Sequence, residues 1–589
     1  MQSRYNTKRK YKKTIQPQYF VTITFDGYGP LLAKADHRCN ISTTDKDKQI
    51  GREMAVERAN PSNVAKRCRK LRAGDRIILE EGVYRQPLVL TGLAGTARAP
   101  IVIEAETGAV FTSGLSRKKY GKQANLIAMR RQAAGYYPSV GQTADEATLA
   151  FIHCRHVIVR GLNFLRCWPT AVYLEECQHM RLEELSFREG TIAIGANGLT
   201  TRDILVSKCD WKQDVSDDNE MWNTIPWRRV HGSKQNTDGI PVDPEGDYRA
   251  WDGDFFRAWD VAGNIVIRDN TISDAFNAIH FFNRIDQLAP GVDAIQLNFN
   301  NGRRASANIL IEGNTFTRIR DNAIEPEDYA WNWVIRHNTF ADCYRPFSLE
   351  LQRAGWFYIY GNVGWVNNPP SMLPEPGDRT KCSHFKLGGA QKNEGPIHVF
   401  FNSWYYRKGK GIFPKGALGR LRHFNNAIGF GNPAKAQMFG KTGSLKWLED
   451  DLGNHFTRQW DAEHYDIIFD GDLCEDSNFP DGFRSLGFEL GENSKAGSPS
   501  FAHPESAQPN LRIGSDSAGF KTAIAMLIEL PDGSGISVPA GRNIGAHQED
   551  GVYDPIDRAF AFLPEATGDA SQNKQDDDED GDKPGLLLF

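Results

Sequence analysis

The sequence predicts an all-β chain wound as a right-handed parallel β-helix. Two observations predict it. A short unit of alternating apolar residues closes on Asn or a small polar residue, and that unit returns at an interval of about 24 residues. Alternation of period 2 marks strands with one buried face. A fixed interval of that length means one solenoid coil per repeat, with coils one strand spacing apart, about 4.8 Å.

The unit first reads Val157-Ile-Val-Arg-Gly-Leu-Asn163-Phe164, then Met180-Arg-Leu-Glu-Glu-Leu-Ser186-Phe187 and Ile204-Leu-Val-Ser-Lys-Cys-Asp210-Trp211. It continues through Asn270, Asn314, Asn338, Asn362, Asn402 and Asn426. Asn163 to Ser186 is 23 residues, Ser186 to Asp210 is 24, and Asn314 to Asn338 to Asn362 is 24 and 24. The recurring Asn belongs at a bend, where it tolerates unusual backbone angles and can bond along a ladder of like residues.

Before the repeat, residues 1–64 read as an N-terminal extension and the start of a cap, with a helix expected from Pro61 to Leu71. Arg9, Lys10, Lys12 and Lys13 resemble the basic start of a secretion signal. Asp26, Gly27 and Gly29 interrupt the apolar stretch that should follow. A secreted or periplasmic location is expected, with a cytoplasmic one as the alternative. The solenoid is expected over 65–550. The acidic tail 565–589, with its run Asp576–Asp580, reads as disordered.

Composition excludes several classes. The chain has 589 residues, 70 basic and 74 acidic, a net charge of -4 and no apolar run near 20 residues. Neither a membrane-spanning helix nor a nucleic-acid partner is expected. Nine cysteines, with no paired spacing, make neither a disulfide framework nor a zinc ribbon. Cys154 and Cys177 are expected as buried, reduced thiols on adjacent coils. A monomer is expected.

Interruptions of the period locate inserted loops. Asp210 to Asn270 is 60 residues, Asn270 to Asn314 is 44 and Asn362 to Asn402 is 40. Loops are therefore expected at about 212–260, 284–306 and 366–382. The first carries Trp222, Trp227, Arg228, Arg229, His231 and Trp251, and the second Arg284, Arg303 and Arg304. Aromatic rings beside arginines suit sugars bearing carboxylates or sulfates. Trp222, Trp227, Arg228 and Arg284 are thus candidate substrate contacts, with aromatic packing beneath the loop as the plain alternative.

Strands following the bends can be stacked from the sequence alone. Gly239–Asp243, Ala278–Phe282, Ala323–Glu327, Pro346–Glu350 and His384–Gly388 align so that Ile240, Ile279, Ile324, Phe347 and Phe385 point inward. One outward column then reads Pro241, His280, Glu325, Ser348, Lys386. The next reads Asp243, Phe282, Glu327, Glu350, Gly388. Carboxylates stacked at strand spacing repel unless a cation or a shared proton relieves them.

Ala73-Gly-Asp-Arg-Ile-Ile-Leu-Glu-Glu-Gly-Val-Tyr84 and Pro100-Ile-Val-Ile-Glu-Ala105 resemble the opening coils of parallel β-helix carbohydrate-active enzymes. Among these, the polysaccharide lyases that include chondroitinase B and the alginate lyases look most similar. Gly497-Ser-Pro499 and Asn543-Ile-Gly-Ala-His-Gln548 resemble their closing segment. The resemblance implies β-elimination on a uronic-acid polysaccharide. It also implies calcium on a Glu-x-Glu pair, which Glu325-Pro-Glu327 resembles; the stacked columns add Glu350, one coil away, as the neighbouring carboxylate. That group carries a Lys five residues past the second Glu, where this chain has Asn332.

Lys386 is therefore the candidate base, with His280, Arg345 or Arg284 assisting and Asp243 placed against substrate. Hydrolysis by paired carboxylates among Glu325, Glu327, Glu350 and Asp243 is the alternative. Asn236-Thr-Asp-Gly239 is similar to a polygalacturonase motif. The Gly-Asp-Asp that should follow is replaced by Asp274-Ala-Phe-Asn277, so only Asp238 carries over. A carbohydrate-binding adhesin without catalysis is the third reading.

Overall fold

The computed structural model describes residues 56–556 apart from 134–140, 228–229, 231–247, 283–305, 328–329, 350–354, 371–381, 388–392, 394, 408–418, 433–446, 450–454, 458–465, 477–478, 480–490, 550 and 552. Most of the N-terminal extension and all of the acidic tail lie outside these residues. So do Arg228, Asp243, Arg284 and Glu350.

The alternating segments become strands that pair in parallel with the strand one coil away. One parallel sheet has thirteen strands in chain order, from Val56–Ala59 to Asp466–Asp470. Two further runs of parallel strands close the other faces. The long strands Asn163–Glu175 and Ser186–Asn197 bend across both of them. The chain is a parallel β-helix. Its first parallel strand lies ahead of residue 65, and the expected cap helix is reduced to Val64–Cys68.

Inward positions repeat the same residue type on successive coils, so like rings stack. Phe111, Phe164 and Phe187 lie 5.3 and 5.0 Å apart, and Phe347 stacks on Phe385 at 5.1 Å. Contacts at these separations add to the area each ring removes from water. Cys154 and Cys177 are buried free thiols on neighbouring coils, where the Gln178 amide donates to the Cys154 carbonyl.

The asparagine ladder is present, and its first rung is Asn270. In each of Asn270, Asn314, Asn338, Asn362, Asn402 and Asn426, Nδ2 donates to the next side-chain oxygen at 2.9–3.0 Å. The last acceptor is Asp472, which also meets His423 Nδ1 at 2.7 Å. Every rung is buried. Strand register corrects the first three repeats by one residue. Val157, Met180, Ile204 and Ile265 align, so the ladder position holds Leu162, Leu185 and Cys209 rather than Asn163, Ser186 and Asp210. Those early coils fill the bend with apolar side chains, all buried.

The expected loop at 212–260 ends sooner than its length suggests. Asp254–Trp259 is a strand of the site-bearing sheet, paired on one side with Ile192–Asn197 and on the other with Ile279–Phe282. A helix not foreseen, Arg117–Ala133, sits between two early coils. Two C-terminal hairpins, Phe501–His503 with Asn510–Ile513 and Met526–Glu529 with Gly535–Val538, follow the solenoid. Ala523, Met526, Ile528 and Val538 cover outward Val266, Leu310, Val334 and Tyr358 of the thirteen-stranded sheet. Among the described residues, no helix is long and apolar enough to cross a membrane.

Candidate functional site

The site lies on the outward face of the sheet that contains 254–259, 279–282, 322–326, 345–349 and 385–387. Ile279, Ile324, Phe347 and Phe385 stack inward, in register and fully buried, as their column requires. Their outward neighbours form a row: Arg257, His280, Glu325, Ser348 and Lys386. The rung before His280 is Arg257, which corrects the expected Pro241. In the second column, Trp259 stands beside Phe282 where Asp243 was expected. The Glu327 amide donates to the Phe281 carbonyl, which places Glu327 on the same side as His280.

His280 is the centre of the row. It is 3% exposed and ringed by carboxylates on both sides. Its Nδ1 faces Asp254 Oδ1 at 3.6 Å, and its Nε2 faces Glu325 Oε2 at 3.4 Å and Glu327 Oε1 at 3.5 Å. These are ion-pair separations, longer than a hydrogen bond at 2.7–3.2 Å. Both ring nitrogens thus face carboxylates without a hydrogen bond of ordinary length. Burial alone would push His280 down, but Glu325, Asp254 and Glu327 outweigh it and hold it at about 9. The imidazole therefore carries a proton at neutral pH when nothing else occupies the seat between the carboxylates.

The carboxylates are themselves anchored. Glu325 Oε1 accepts from Asn322 Nδ2 at 2.8 Å and from Lys386 Nζ at 3.2 Å. Asp254 is ion-paired to Arg257 Nε, and Arg257 Nη2 donates to the Asp252 carbonyl at 3.1 Å. Lys386 is 22% exposed and Glu327 31%, so the row opens to solvent at these two side chains while Glu325 and His280 stay buried.

Aromatic rings continue the face toward the N-terminal coils. Phe282, partly exposed, lies against the His280 ring at 3.6 Å and stacks on Trp259 at 6.5 Å. Tyr173 lies 6.5 Å from Trp259. Gly195 lets them approach, because a Cβ there would stand 2.9 Å from the Tyr173 ring.

The row brings together His280, Glu325, Glu327 and Lys386. Arg345 sits at its edge, on the rung beside Asn322, with its guanidinium 4.2 Å over the Tyr344 ring. Trp222 and Trp227 are buried, at 3% and 6% exposure. Trp222 Nε1 donates to the Asn368 carbonyl, and Trp227 clusters with Met221, Ile225, Trp251 and Phe276. Neither offers an open ring face to a sugar in this arrangement.

Asn332 has a structural role. It is a rung of a second ladder in which Asn264, Asn308 and Asn332 each donate to the side-chain oxygen one coil back, beginning at Asp203. All four have a left-handed backbone, φ 55–59°.

Asp254 and Arg257 are the site residues that the sequence reading missed. The signal was available in the spacing: Ile324 precedes Asn338 by 14 residues, and Phe256 precedes Asn270 by 14. That interval marks 254–259 as the site strand of its coil.

The described residues supply part of a calcium ligand set. Calcium takes six to eight oxygen ligands, whereas the group that converges here is Glu325, Glu327 and an imidazole. Glu350, the third expected ligand, lies outside the described residues.

No family model matches the chain, and no curated protein does. Solved structures similar to it include pectate lyase Pel9A, at 11% identity and a TM-score of 0.41, over 85% of this chain and 98% of that one. A family 28 exopolygalacturonase from Yersinia enterocolitica is 10% identical with a TM-score of 0.39, over 66% and 77%. The family 6 polysaccharide lyase Pedsa3628 from Pseudopedobacter saltans is 10% identical with a TM-score of 0.37, over 78% and 97%. Likeness at this level does not carry a reaction or a substrate from one protein to another.

Proposed function

We propose that this chain cleaves an acidic, uronic-acid-containing polysaccharide by β-elimination, and that Lys386 meets the reacting sugar. The observation behind this reading is the environment of Glu325. Each of its oxygens faces a nitrogen donor or cation: Asn322 and Lys386 on one side, His280 on the other. Donors and cations on both sides act against the burial that would otherwise favour the neutral acid. A glycoside hydrolase needs one carboxyl of its pair held protonated as the acid. Elimination needs instead a cation against the substrate carboxylate and an acceptor for the proton on the adjacent carbon. The electron pair left on that carbon forms the new double bond, and the glycosidic oxygen leaves with a proton returned by the acceptor or taken from water.

Lys386, at the open end of the row and ion-paired with Glu325, supplies the cation against the substrate carboxylate, with Arg345 at its edge; to act as the acceptor it would first have to give up its own proton. Phe282 offers a ring to the sugar. A panel of uronate polysaccharides, followed by the ultraviolet absorbance of the unsaturated product, tests the reading. New reducing ends without that absorbance would favour hydrolysis by Glu325 and Glu327. Sugar binding without cleavage would favour the adhesin.

A further inference from the structure

We propose that His280, Glu325 and Glu327 bind a single divalent ion of the zinc class, through one nitrogen and two carboxylate ligands, in preference to calcium. The three ligand atoms lie within 4.8 Å of one another. His280 Nε2 stands 3.4 Å from Glu325 Oε2 and 3.5 Å from Glu327 Oε1. Two ligands about 2.0–2.1 Å from a tetrahedral ion sit roughly 3.3–3.4 Å apart. The two edges that meet at His280 thus suit a shared ion, with the carboxylates closing on it from within 4.8 Å, and both are longer than an ordinary hydrogen bond.

The surroundings match those of a ligand set. A metal-bound imidazole turns its other nitrogen to an outer carboxylate, and Nδ1 of His280 faces Asp254. Arg257 in turn holds Asp254, and the Asp252 carbonyl holds Arg257. Glu325 is fixed through Oε1 by Asn322 and Lys386, which aims Oε2 at the seat. Glu327, the partly exposed member, leaves one side of the seat toward solvent, as sites with an open coordination position have. Imidazole is a ligand for zinc, nickel and copper, and calcium prefers oxygen.

The proposal concerns the same face as the elimination reading but does not depend on it, because binding is read without substrate. The full-length chain is stripped with a chelator and titrated separately with Zn²⁺, Co²⁺ and Ca²⁺ by calorimetry. Visible absorption of the Co²⁺ form reports the coordination. One Zn²⁺ per chain is expected, at least about a hundredfold tighter than Ca²⁺, with Co²⁺ bands that Zn²⁺ abolishes. His280→Asn, which exchanges the nitrogen for an oxygen ligand, should weaken Zn²⁺ at least tenfold and narrow the gap to Ca²⁺. Glu327→Gln, at the exposed side, should weaken Zn²⁺ with the fold intact, and it carries the test if His280→Asn does not fold. Ca²⁺ binding as tightly as Zn²⁺, no saturable Zn²⁺ binding, or Zn²⁺ binding unchanged in a folded variant would overturn the proposal. Absence of cleavage on every polysaccharide would leave these results as they are and bear only on the elimination reading.

Discussion

Two stacks of polar side chains run through this solenoid, and they differ in kind. The asparagine ladder repeats one residue on six coils, from Asn270 to Asn426, with Nδ2 donors bonded at 2.9–3.0 Å. The outward row sets unlike residues on successive coils, and its central imidazole stands 3.4–3.6 Å from three carboxylates. A buried polar group that is fully bonded contributes to the fold and has nothing left to offer a ligand. Groups that converge without closing on one another leave room for an ion, a proton or a substrate. Stacking alone therefore says little about function. Unlike residues that converge at distances longer than an ordinary hydrogen bond say more.

The largest expected effect falls on the row. Lys386→Ala should lower turnover by about 10²–10⁴-fold if the lysine transfers the proton, with little change in stability because the side chain is partly exposed. Glu325→Gln would remove the charge that Lys386 and His280 both face, and should lower turnover as well. Steady-state kinetics on the best polysaccharide of the panel, with urea unfolding as a control, checks both. Unchanged turnover in Lys386→Ala would remove that residue from the chemistry.

The converse is expected of the ladder. Asn338 donates to Asn362 Oδ1 and to the Ile311 carbonyl, and accepts from the Asn314 amide and Asn314 Nδ2. Asn338→Ala strands buried partners on both sides, at about 1–3 kcal/mol for each group left unpaired. Urea unfolding should show a loss of several kcal/mol, while turnover per folded molecule stays near that of the parent. A ladder variant that lost turnover without losing stability would break the distinction between the two stacks.

Much of the fold was legible because a solenoid writes its period directly into the chain. Asn314, Asn338 and Asn362 fall 24 residues apart, and one interval fixes the register of a whole sheet. The inward column Ile279, Ile324, Phe347, Phe385 followed from alternation alone. What failed did so where the period was broken or the ladder residue changed. With Leu162 and Leu185 at the bend, the next polar residue looked like the rung, which shifted three coils by one position. With 61 residues from Cys209 to Asn270, the strand 254–259 vanished into its loop, and Asp254 and Arg257 went with it. His280, Glu325 and Glu327 were found because they follow the ladder asparagine of their coil by 10, 11 and 13 residues, ahead of any insertion, and Lys386 through its inward neighbour Phe385. The tryptophans of the first insertion were placed by composition, which cannot tell a ring on the surface from one packed beneath it.

A smaller effect separates the buried histidines. His280 is surrounded by carboxylates, whereas His398 lies under the C-terminal segment beside Arg422 and Arg420. Its Nε2 there accepts the Glu529 amide at 3.2 Å, with Glu529 and Asp466 paired to the two arginines. Burial, reinforced by Arg422, pushes His398 down to about 3. The folded chain thus binds fewer protons at this position than the unfolded chain between pH 6.5 and about 3. Stability should be complete above 6.5 and fall as pH drops through that window, by up to about 1.4 kcal/mol per unit. Protonation would also cost the Glu529 amide its acceptor, so the C-terminal hairpin should loosen first. Unfolding midpoints from pH 7 to 4, with hydrogen exchange of 526–538, should show this slope, and His398→Gln should flatten it. An equal slope in His398→Gln would assign the acid sensitivity elsewhere.

The smallest effect tests whether Asn332 is a lost catalytic position or a rung. Its backbone is left-handed, φ 56°, a conformation that Asn tolerates better than Lys. Its Nδ2 donates to Asn308 Oδ1 at 2.8 Å, in a ladder that is only partly buried. Asn332→Lys loses that bond and strains the turn, a cost of about 1–2 kcal/mol. If Lys386 has taken over the work of a lysine at this position, Asn332→Lys should leave turnover unchanged in the parent chain and restore nothing in Lys386→Ala. Recovery of turnover in the double variant would mean that a side chain at 332 reaches the row. The second ladder would then border the site as well as supporting the fold, and the separation between bonded stack and open row would not hold on that coil.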